Sequence, residues 1–295
     1  MSFHSKEVLV KLGLAAGAIT AVGCGDAKNE EHLTPTAVVR PIATAIPAET
    51  LTLNTGALPE EMIEKYPEFK DYIIKSAFKV STPSGKETMF YNMTDYQPNQ
   101  EAIESIYRYL ENYLGNEKPL SFLLPNSSER IETMPSPILN KRATAILSDD
   151  LDVPKDGMSP YGQTGWVPKG KLGSTYIRLR DFGQKMDPSY TPQEGYTWIF
   201  AVEACQQTLF AFVVGKDGRV VENLERMFQA QEIVCNSIGA AISRRIHGET
   251  WQQYSDWLDT RGTLNIPQRN LYGAQIAKMD EETYNAMPQS GNIFK

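Results

Sequence analysis

Residues 195–248 hold most of the strong apolar periodicity of this chain and constrain its fold more than any other segment. Between positions 196 and 214 nearly every residue is apolar, and the polar exceptions are Thr197, Glu203, Gln206, Gln207 and Thr208. Glu203, Gln206 and Gln207 recur at i, i+3 and i+4, a spacing that places them on one stripe of a helix. A helix that is apolar elsewhere must be buried on nearly all sides. The spacing therefore predicts a buried central helix whose polar stripe faces a partner, a cavity or water.

The position at which this helix ends has two interpretations, because a hairpin signal follows it in the sequence. Asp217 and Gly218 stand between two apolar runs, which is typical of a tight turn between strands. The pattern favours a helix through Phe210, and residues 209–221 fit a strand as the alternative. A membrane-spanning helix is excluded, because Glu203 and two glutamines in the middle of the run are costly in hydrocarbon.

A second helix is predicted to begin near Leu224 and to end at Gly248. Its apolar residues fall on one side at helical spacing: Leu224, Phe228, Cys235, Ile238, Ile242 and Ile246. A polar stripe on another side consists of Glu225, Gln229, Glu232 and Asn236. Cationic residues fill the last turn, where they suit the helix dipole, and a glycine follows. A short turn at residues 215–218 predicts that the two helices pack antiparallel as the main wall of the core.

Cys205 and Cys235 lie near the middles of these two helices. Simple antiparallel pairing around the turn leaves the two cysteines staggered by about seven residues, or roughly 10 Å along the helix. A disulfide needs Cα atoms within about 7 Å of each other. The spacing therefore predicts two buried free thiols, unless a strand or a kink shortens one arm.

Residues 1–23 are predicted to be a signal peptide. Lys6 and Lys11 accompany an apolar run that is too short to cross a bilayer as a mature helix. The ending Ala21-Val22-Gly23-Cys24 resembles the lipobox of bacterial lipoproteins. That resemblance implies a lipid on Cys24 and an extracytoplasmic protein anchored to a bacterial membrane, with an ordinary secretory signal as the alternative. Residues 24–57, rich in Ala, Thr and Pro, are predicted to be a flexible tether.

Residues 58–295 are predicted to form one α+β domain, in which a small sheet is packed by the central helix pair. Predicted helices cover residues 58–75, 99–114 and 249–258, and predicted strands cover residues 78–82, 88–92, 120–124, 142–147 and 174–179. Strands come mainly before the long helices, an order that favours the α+β class. Residues 148–173, rich in Asp, Gly, Pro and Lys, are predicted to be a long loop that is functional or mobile.

The order of helix, strands and buried helix over residues 99–247 resembles the plan of the zincin metallopeptidases. Val202-Glu203-Ala204-Cys205-Gln206 takes the place of that family's His-Glu-x-x-His, and only the glutamate matches. The resemblance implies a zincin-like scaffold that has lost both histidine ligands, and with them zinc and peptidase activity.

Charge and histidine content exclude several classes of function. The formal net charge is −7 and the pI is about 5.2, which disfavours nucleic acid and anionic membrane surfaces as partners. After removal of the signal peptide, His32 and His247 are the only histidines, so a catalytic Ser-His-acid set and a histidine-rich zinc site are disfavoured. We therefore predict no metal and no cofactor.

Glu203 and Glu232 are the best candidates for catalysis. Both lie in otherwise apolar helices, where burial raises the pKa of a carboxyl group. A pair of this kind serves glycoside hydrolysis, in which one carboxyl acts as acid and the other as nucleophile or base. In the alternative interpretation each glutamate binds a neighbouring amide or hydroxyl and only satisfies the interior.

Three aromatic residues in the loop-rich part of the chain are candidates for surface binding: Tyr161, Trp166 and Tyr190. Together these features predict an exported, lipid-anchored cell-envelope protein with a binding or structural role and no catalytic motif. Its expected partners are the membrane, through the lipid, and envelope glycan or protein. The alternative is an envelope hydrolase of glycan or peptide that uses Glu203 and Glu232.

Overall fold

Two small sheets and two long helices make up most of the protein that is described in a computed structural model. The structure describes residues 60–65, 67, 70, 73–82, 85, 87–124, 128–136, 142–147, 162–167, 174–179, 191–263 and 276–295. These residues belong to one compact unit, which spans residues 50–295. The predicted signal peptide and tether, and Cys24 with them, lie outside the described residues.

Strands and helices are mixed along the chain, which confirms the predicted combination of helices with small sheets. The strands are β1 (Ser76–Ser81), β2 (Glu87–Asn92), β3 (Ser121–Leu123), β4 (Arg130–Pro135), β5 (Arg142–Leu147), β6 (Gly162–Val167), β7 (Ser174–Leu179) and β8 (Leu209–Val214). The α-helices are α1 (Glu60–Lys65), α2 (Gln100–Arg108), α3 (Pro192–Thr208), α4 (Leu224–Ile246), α5 (Trp251–Thr263) and α6 (Glu281–Asn285). A π-helix (Tyr109–Glu117) continues α2.

The larger sheet has the strand order β1-β2-β5-β7-β6. β1 and β2 form the predicted antiparallel hairpin, in which Phe78 is paired with Phe90. β2, β5 and β7 run parallel, whereas β6 is an antiparallel edge strand. β3, β4 and β8 form a second sheet that is antiparallel throughout. The protein therefore has two sheets where the sequence predicted one.

β6 lies inside the segment that was predicted to be a loop, residues 148–173. Its sequence contains Gly162 and Gly165, and glycine is depleted in strands because it has no side chain to pack. Pairing with β7 over all six residues of each strand outweighs that local preference. The loop prediction is wrong for residues 162–167.

Helix α3 is the predicted buried central helix, and it begins with a capping box. The side chain of Thr191 accepts a hydrogen bond from the backbone of Glu194, whose carboxylate accepts one in return from the backbone of Thr191. The helix ends at Thr208, two residues before the predicted end at Phe210. The strand alternative is correct for Leu209–Val214, which is β8. Among the residues that the structure describes, no helix is long and apolar enough to cross a membrane.

Helix α4 confirms the second predicted helix. The Asn223 side chain caps its first turn by accepting a hydrogen bond from the backbone of Arg226, and Gly248 follows its last turn with φ of 80°. The predicted buried face is wrong at one position, because Phe228 leaves 62% of its surface exposed.

Helices α3 and α4 pack against each other at very short range around Gly239. A Cβ atom built on Gly239 would lie 2.5 Å from Cγ2 of Val202 and 2.6 Å from Cδ1 of Trp198. Only a residue without a side chain fits at this crossing. The glycine therefore sets the distance between the two helices that carry both candidate glutamates.

The C-terminal residues fasten the beginnings of α2 and α3 to each other. Phe294 forms a β-bridge with Pro98, and its ring lies 5.1 Å from the ring of Tyr196 on α3. The backbone of Ile293 accepts a hydrogen bond of 2.7 Å from the backbone of Asn99 and donates one of 2.9 Å to the hydroxyl of Thr197. These contacts hold the N-terminal half of α3 in the core.

Candidate functional site

Cys205 and Cys235 form a disulfide between α3 and α4, with their Cα atoms 5.4 Å apart. The prediction of two free thiols is therefore wrong. That prediction assumed a helix both between Cys205 and the turn at residues 215–218 and between the turn and Cys235. In the structure, six residues of the first of these segments form the extended strand β8. Six strand residues cover roughly 20 Å, whereas six helical residues cover roughly 9 Å. The longer reach of β8 removes the stagger that argued against a bond.

The disulfide is fully buried and lies beside the edge of β8. Gln231 on α4 accepts a hydrogen bond of 2.8 Å from the backbone of Ala211 and donates one of 2.9 Å to the backbone of Leu209. Its Nε2 atom also lies 3.4 Å from Sγ of Cys235. The side chain of Gln231 thus binds backbone N–H and C=O groups at the edge of β8 that a neighbouring strand would otherwise bind. This contact protects the edge from pairing with other strands.

Glu232 is held on both carboxylate oxygens where α3 meets α4. Gln206 donates from Nε2 to Oε1 of Glu232 over 2.9 Å, and Asn236 donates from Nδ2 to Oε2 over 3.1 Å. Burial raises the pKa of the Glu232 carboxyl above its ordinary value, while the hydrogen bonds from Asn236 and Gln206 act in the opposite direction. Glu232 therefore spans the two helices as an acceptor that both amides already occupy.

Asn236 is the last residue of the polar stripe of α4 and lies in the protein interior. The residue is fully buried, and Nδ2 donates to both the side chain and the backbone oxygen of Glu232. Its Oδ1 atom is buried without a hydrogen-bond partner. A buried acceptor left without a donor costs about 1–3 kcal/mol. The sequence pattern placed Asn236 on a polar stripe, and the small residues that follow it were the signal that another backbone comes close to this part of α4.

Glu203 is buried on α3, on the same predicted stripe as Gln206 and Gln207. It lies one helical turn before Gln206 and Gln207, and those two residues diverge. Gln206 binds Glu232 on α4, whereas Oε1 of Gln207 accepts a hydrogen bond of 2.8 Å from the hydroxyl of Tyr107 on α2. Glu203 leaves only 5% of its surface exposed, which gives a sugar or a peptide no access to its carboxyl group. The predicted stripe is real, but it is divided between two neighbouring helices.

Trp166 belongs to the edge strand β6, while Tyr161, Tyr190 and the lipidation candidate Cys24 lie outside the described residues. His247, at the end of α4, lies 3.2 Å from Glu194 in the first turn of α3. Sequence reasoning missed that pair, which follows from the antiparallel packing of the two helices.

Within the described ranges, no group of three or more His, Cys, Asp or Glu side chains is placed so that it could hold a metal ion. No family model matches the chain, and no curated protein or solved structure matches it significantly. The resemblance to zincin metallopeptidases therefore has no support from any known structure.

Proposed function

We propose that this protein is exported, is anchored to a bacterial membrane by a lipid on Cys24, and has a binding or structural role at the cell envelope. The observation that carries the proposal is the state of Glu232, whose two oxygens are occupied by Gln206 and Asn236. A general acid or base needs an oxygen that reaches the substrate. Glu232 therefore serves the contact between the helices.

The disulfide supports the exported location. Disulfides persist in oxidising compartments and are rare in the reducing cytosol. Cys205 and Cys235 form a bond inside the body, which leaves Cys24 as the odd cysteine, and lipidation accounts for it. The envelope partner is glycan or protein, as the sequence predicts.

The anchor is tested by replacing Cys24 with serine and separating membrane from soluble fractions of cells that make the full chain. We expect the wild type to sediment with membranes and the Cys24→Ser variant to be soluble. Gln229→Ala is the control, because it changes an exposed residue of the body and leaves all three cysteines in place. Membrane association that survives Cys24→Ser would contradict the lipid anchor.

The raised pKa of Glu232 is the one observation that favours the alternative, an envelope hydrolase. Purified wild type, Glu203→Gln and Glu232→Gln proteins are incubated with isolated cell-wall glycan and with peptide substrates. We expect no hydrolysis above background in any of them. Hydrolysis by the wild type that either variant abolishes without loss of thermal stability would establish the enzyme instead.

A further inference from the structure

In the described part of the chain, the two sheets end in four edge strands, and three of these edges are protected. An edge strand has unpaired backbone N–H and C=O groups, which proteins commonly cover or interrupt. Gln231 binds two backbone groups of β8, and Gln100 donates a hydrogen bond of 3.3 Å to the backbone oxygen of Lys79 in β1. β3 has only three residues and lies between Pro119 and Pro125, which lack a backbone N–H group.

β6 is the fourth edge strand, and its sequence lacks the residues that usually protect an edge. Gly162–Val167 has the sequence Gly-Gln-Thr-Gly-Trp-Val, with neither a charged residue nor a proline. Each of its six residues has one partner in β7, so the strand has no bulge. Among the strands that the structure describes, β6 pairs with β7 alone. The other edge of β6 is therefore a regular row of backbone donors and acceptors, roughly 20 Å long.

The two glycines of β6 indicate that another backbone comes close to this strand. Glycine is depleted in strands, and where it occurs it often marks a bulge or a site at which a second backbone approaches. The one-to-one register with β7 excludes a bulge at Gly162 and Gly165. The absence of charge suits a second copy of this acidic chain, because no like charges face each other when two such edges pair.

We propose that the open edge of β6 binds the β6 strand of a second copy of this chain, with the two strands antiparallel. A two-fold axis at the middle of β6 gives the register that pairs all six residues, and closed two-fold dimers are the commonest protein assemblies. In this register the following residues of opposite copies face each other: Gly162 and Val167, Gln163 and Trp166, Thr164 and Gly165. Each glycine thus lies opposite a β-branched residue, and two five-stranded sheets become one continuous sheet.

The test introduces one cysteine into each of two differently tagged full-length chains that are made in the same cells. Directly opposite residues of antiparallel strands have Cα atoms about 5 Å apart, within reach of a disulfide. Gln163→Cys and Trp166→Cys chains should therefore form a mixed covalent dimer when intact cells are oxidised. Either variant alone should not, because its two cysteines would lie three residues apart along the strands, or about 10 Å. Ser121→Cys with Leu123→Cys is the matched control on the protected edge strand β3 and should give no mixed dimer.

A second measurement uses no cysteine. Thr164→Lys places a charge on the edge of β6, a change that blocks pairing between edges. We expect purified wild type to sediment as a dimer and Thr164→Lys to sediment as a monomer. Leu123→Lys is the control, because Leu123 lies on β3 and leaves 79% of its surface exposed. It should leave the dimer intact.

A wild type that sediments as a monomer and cysteine chains that give no mixed dimer would overturn the proposal. Mixed dimers that form no more readily than the dimers of each single variant would also overturn it, since the contact would then have no register. Cross-linking of the β6 cysteines to a different protein would assign the edge to a strand of that partner instead. The interface does not depend on the lipid, so the mixed dimer should also form when both chains carry Cys24→Ser. Failure of the edge and failure of the anchor are therefore distinguishable.

Discussion

Glu232 shows how a carboxyl group can be chemically perturbed and still serve structure. Burial raises its pKa, a property that is often used to find catalytic residues. In this protein the same group accepts hydrogen bonds from Gln206 on one helix and Asn236 on another turn of its own helix. The perturbation therefore comes from its position between two packed helices, and its consequence is a dependence of stability on pH.

Replacing Glu232 by glutamine should remove part of that dependence. The folded state binds the carboxyl proton more tightly than the unfolded state, because the folded pKa lies above the ordinary value of 4.5. The stabilisation linked to this proton is complete below the unfolded pKa and is lost as pH rises through the folded pKa. We expect the free energy of unfolding of the variant minus that of the wild type to increase in urea titrations as the pH rises above the ordinary value of 4.5.

The control for this experiment is Glu225→Gln, which neutralises an exposed glutamate seven residues earlier on the same helix. It should show a smaller change with pH than Glu232→Gln. A difference between Glu232→Gln and the wild type that stays constant over the whole range would contradict the burial of an ionisable group at this position.

Gly239 gives a second prediction, because it sets the distance between α3 and α4. Gly239→Ala introduces a Cβ only 2.5 Å from Val202 and should lower the free energy of unfolding by about 1–3 kcal/mol through overpacking. Val202→Ala in the same chain removes the methyl group that is contacted and should restore part of the loss. Urea unfolding of the two single variants and the double variant measures this coupling. Strictly additive effects would show that the two residues do not press on each other.

Helix α4 and strand β8 show what the sequence could and could not predict about the elements. Helix α4 begins at an asparagine N-cap and is followed by a glycine with positive φ. Both ends of α4 are therefore predictable from local sequence signals. β8 is six apolar residues directly after an apolar helix, and periodicity alone cannot separate a buried strand from a buried helix. Residues 209–214 form a strand because they pair with β4, which lies about eighty residues earlier in the chain. No local sequence pattern predicts a pairing over that distance.

Gln231 supplies the prediction for β8. Its amide occupies the backbone groups of Leu209 and Ala211 on the edge that faces α4. Gln231→Ala should cost about 1–3 kcal/mol, because the covered N–H group of Ala211 is left without its acceptor. Gln229→Ala is the matched control, two residues away and exposed, and should be nearly neutral. Hydrogen exchange of the Ala211 amide should accelerate only in the Gln231 variant, and equal rates in both variants would contradict the edge contact.

The whole body is held together by contacts that join segments far apart in the chain. The candidate site follows the same rule: the stripe of Glu203, Gln206 and Gln207 was predictable from spacing, but its division between α2 and α4 was not. That division depends on where each helix lies in three dimensions. The disulfide was missed for the same reason, since the reach of its arms depended on the conformation of β8.

The disulfide yields the prediction that bears on the whole molecule. Cys205 and Cys235 should resist alkylation in the unreduced protein, both folded and unfolded in urea, when each cysteine peptide is identified by mass spectrometry. Because both residues are fully buried, a thiol reductant should open the bond far faster in urea than under native conditions. The bond closes a loop between residues 30 apart, so Cys205→Ala with Cys235→Ala should cost about 4 kcal/mol in the free energy of unfolding. Alkylation of either cysteine without reductant would contradict the bond, and equal reduction rates with and without urea would contradict its burial between α3 and α4.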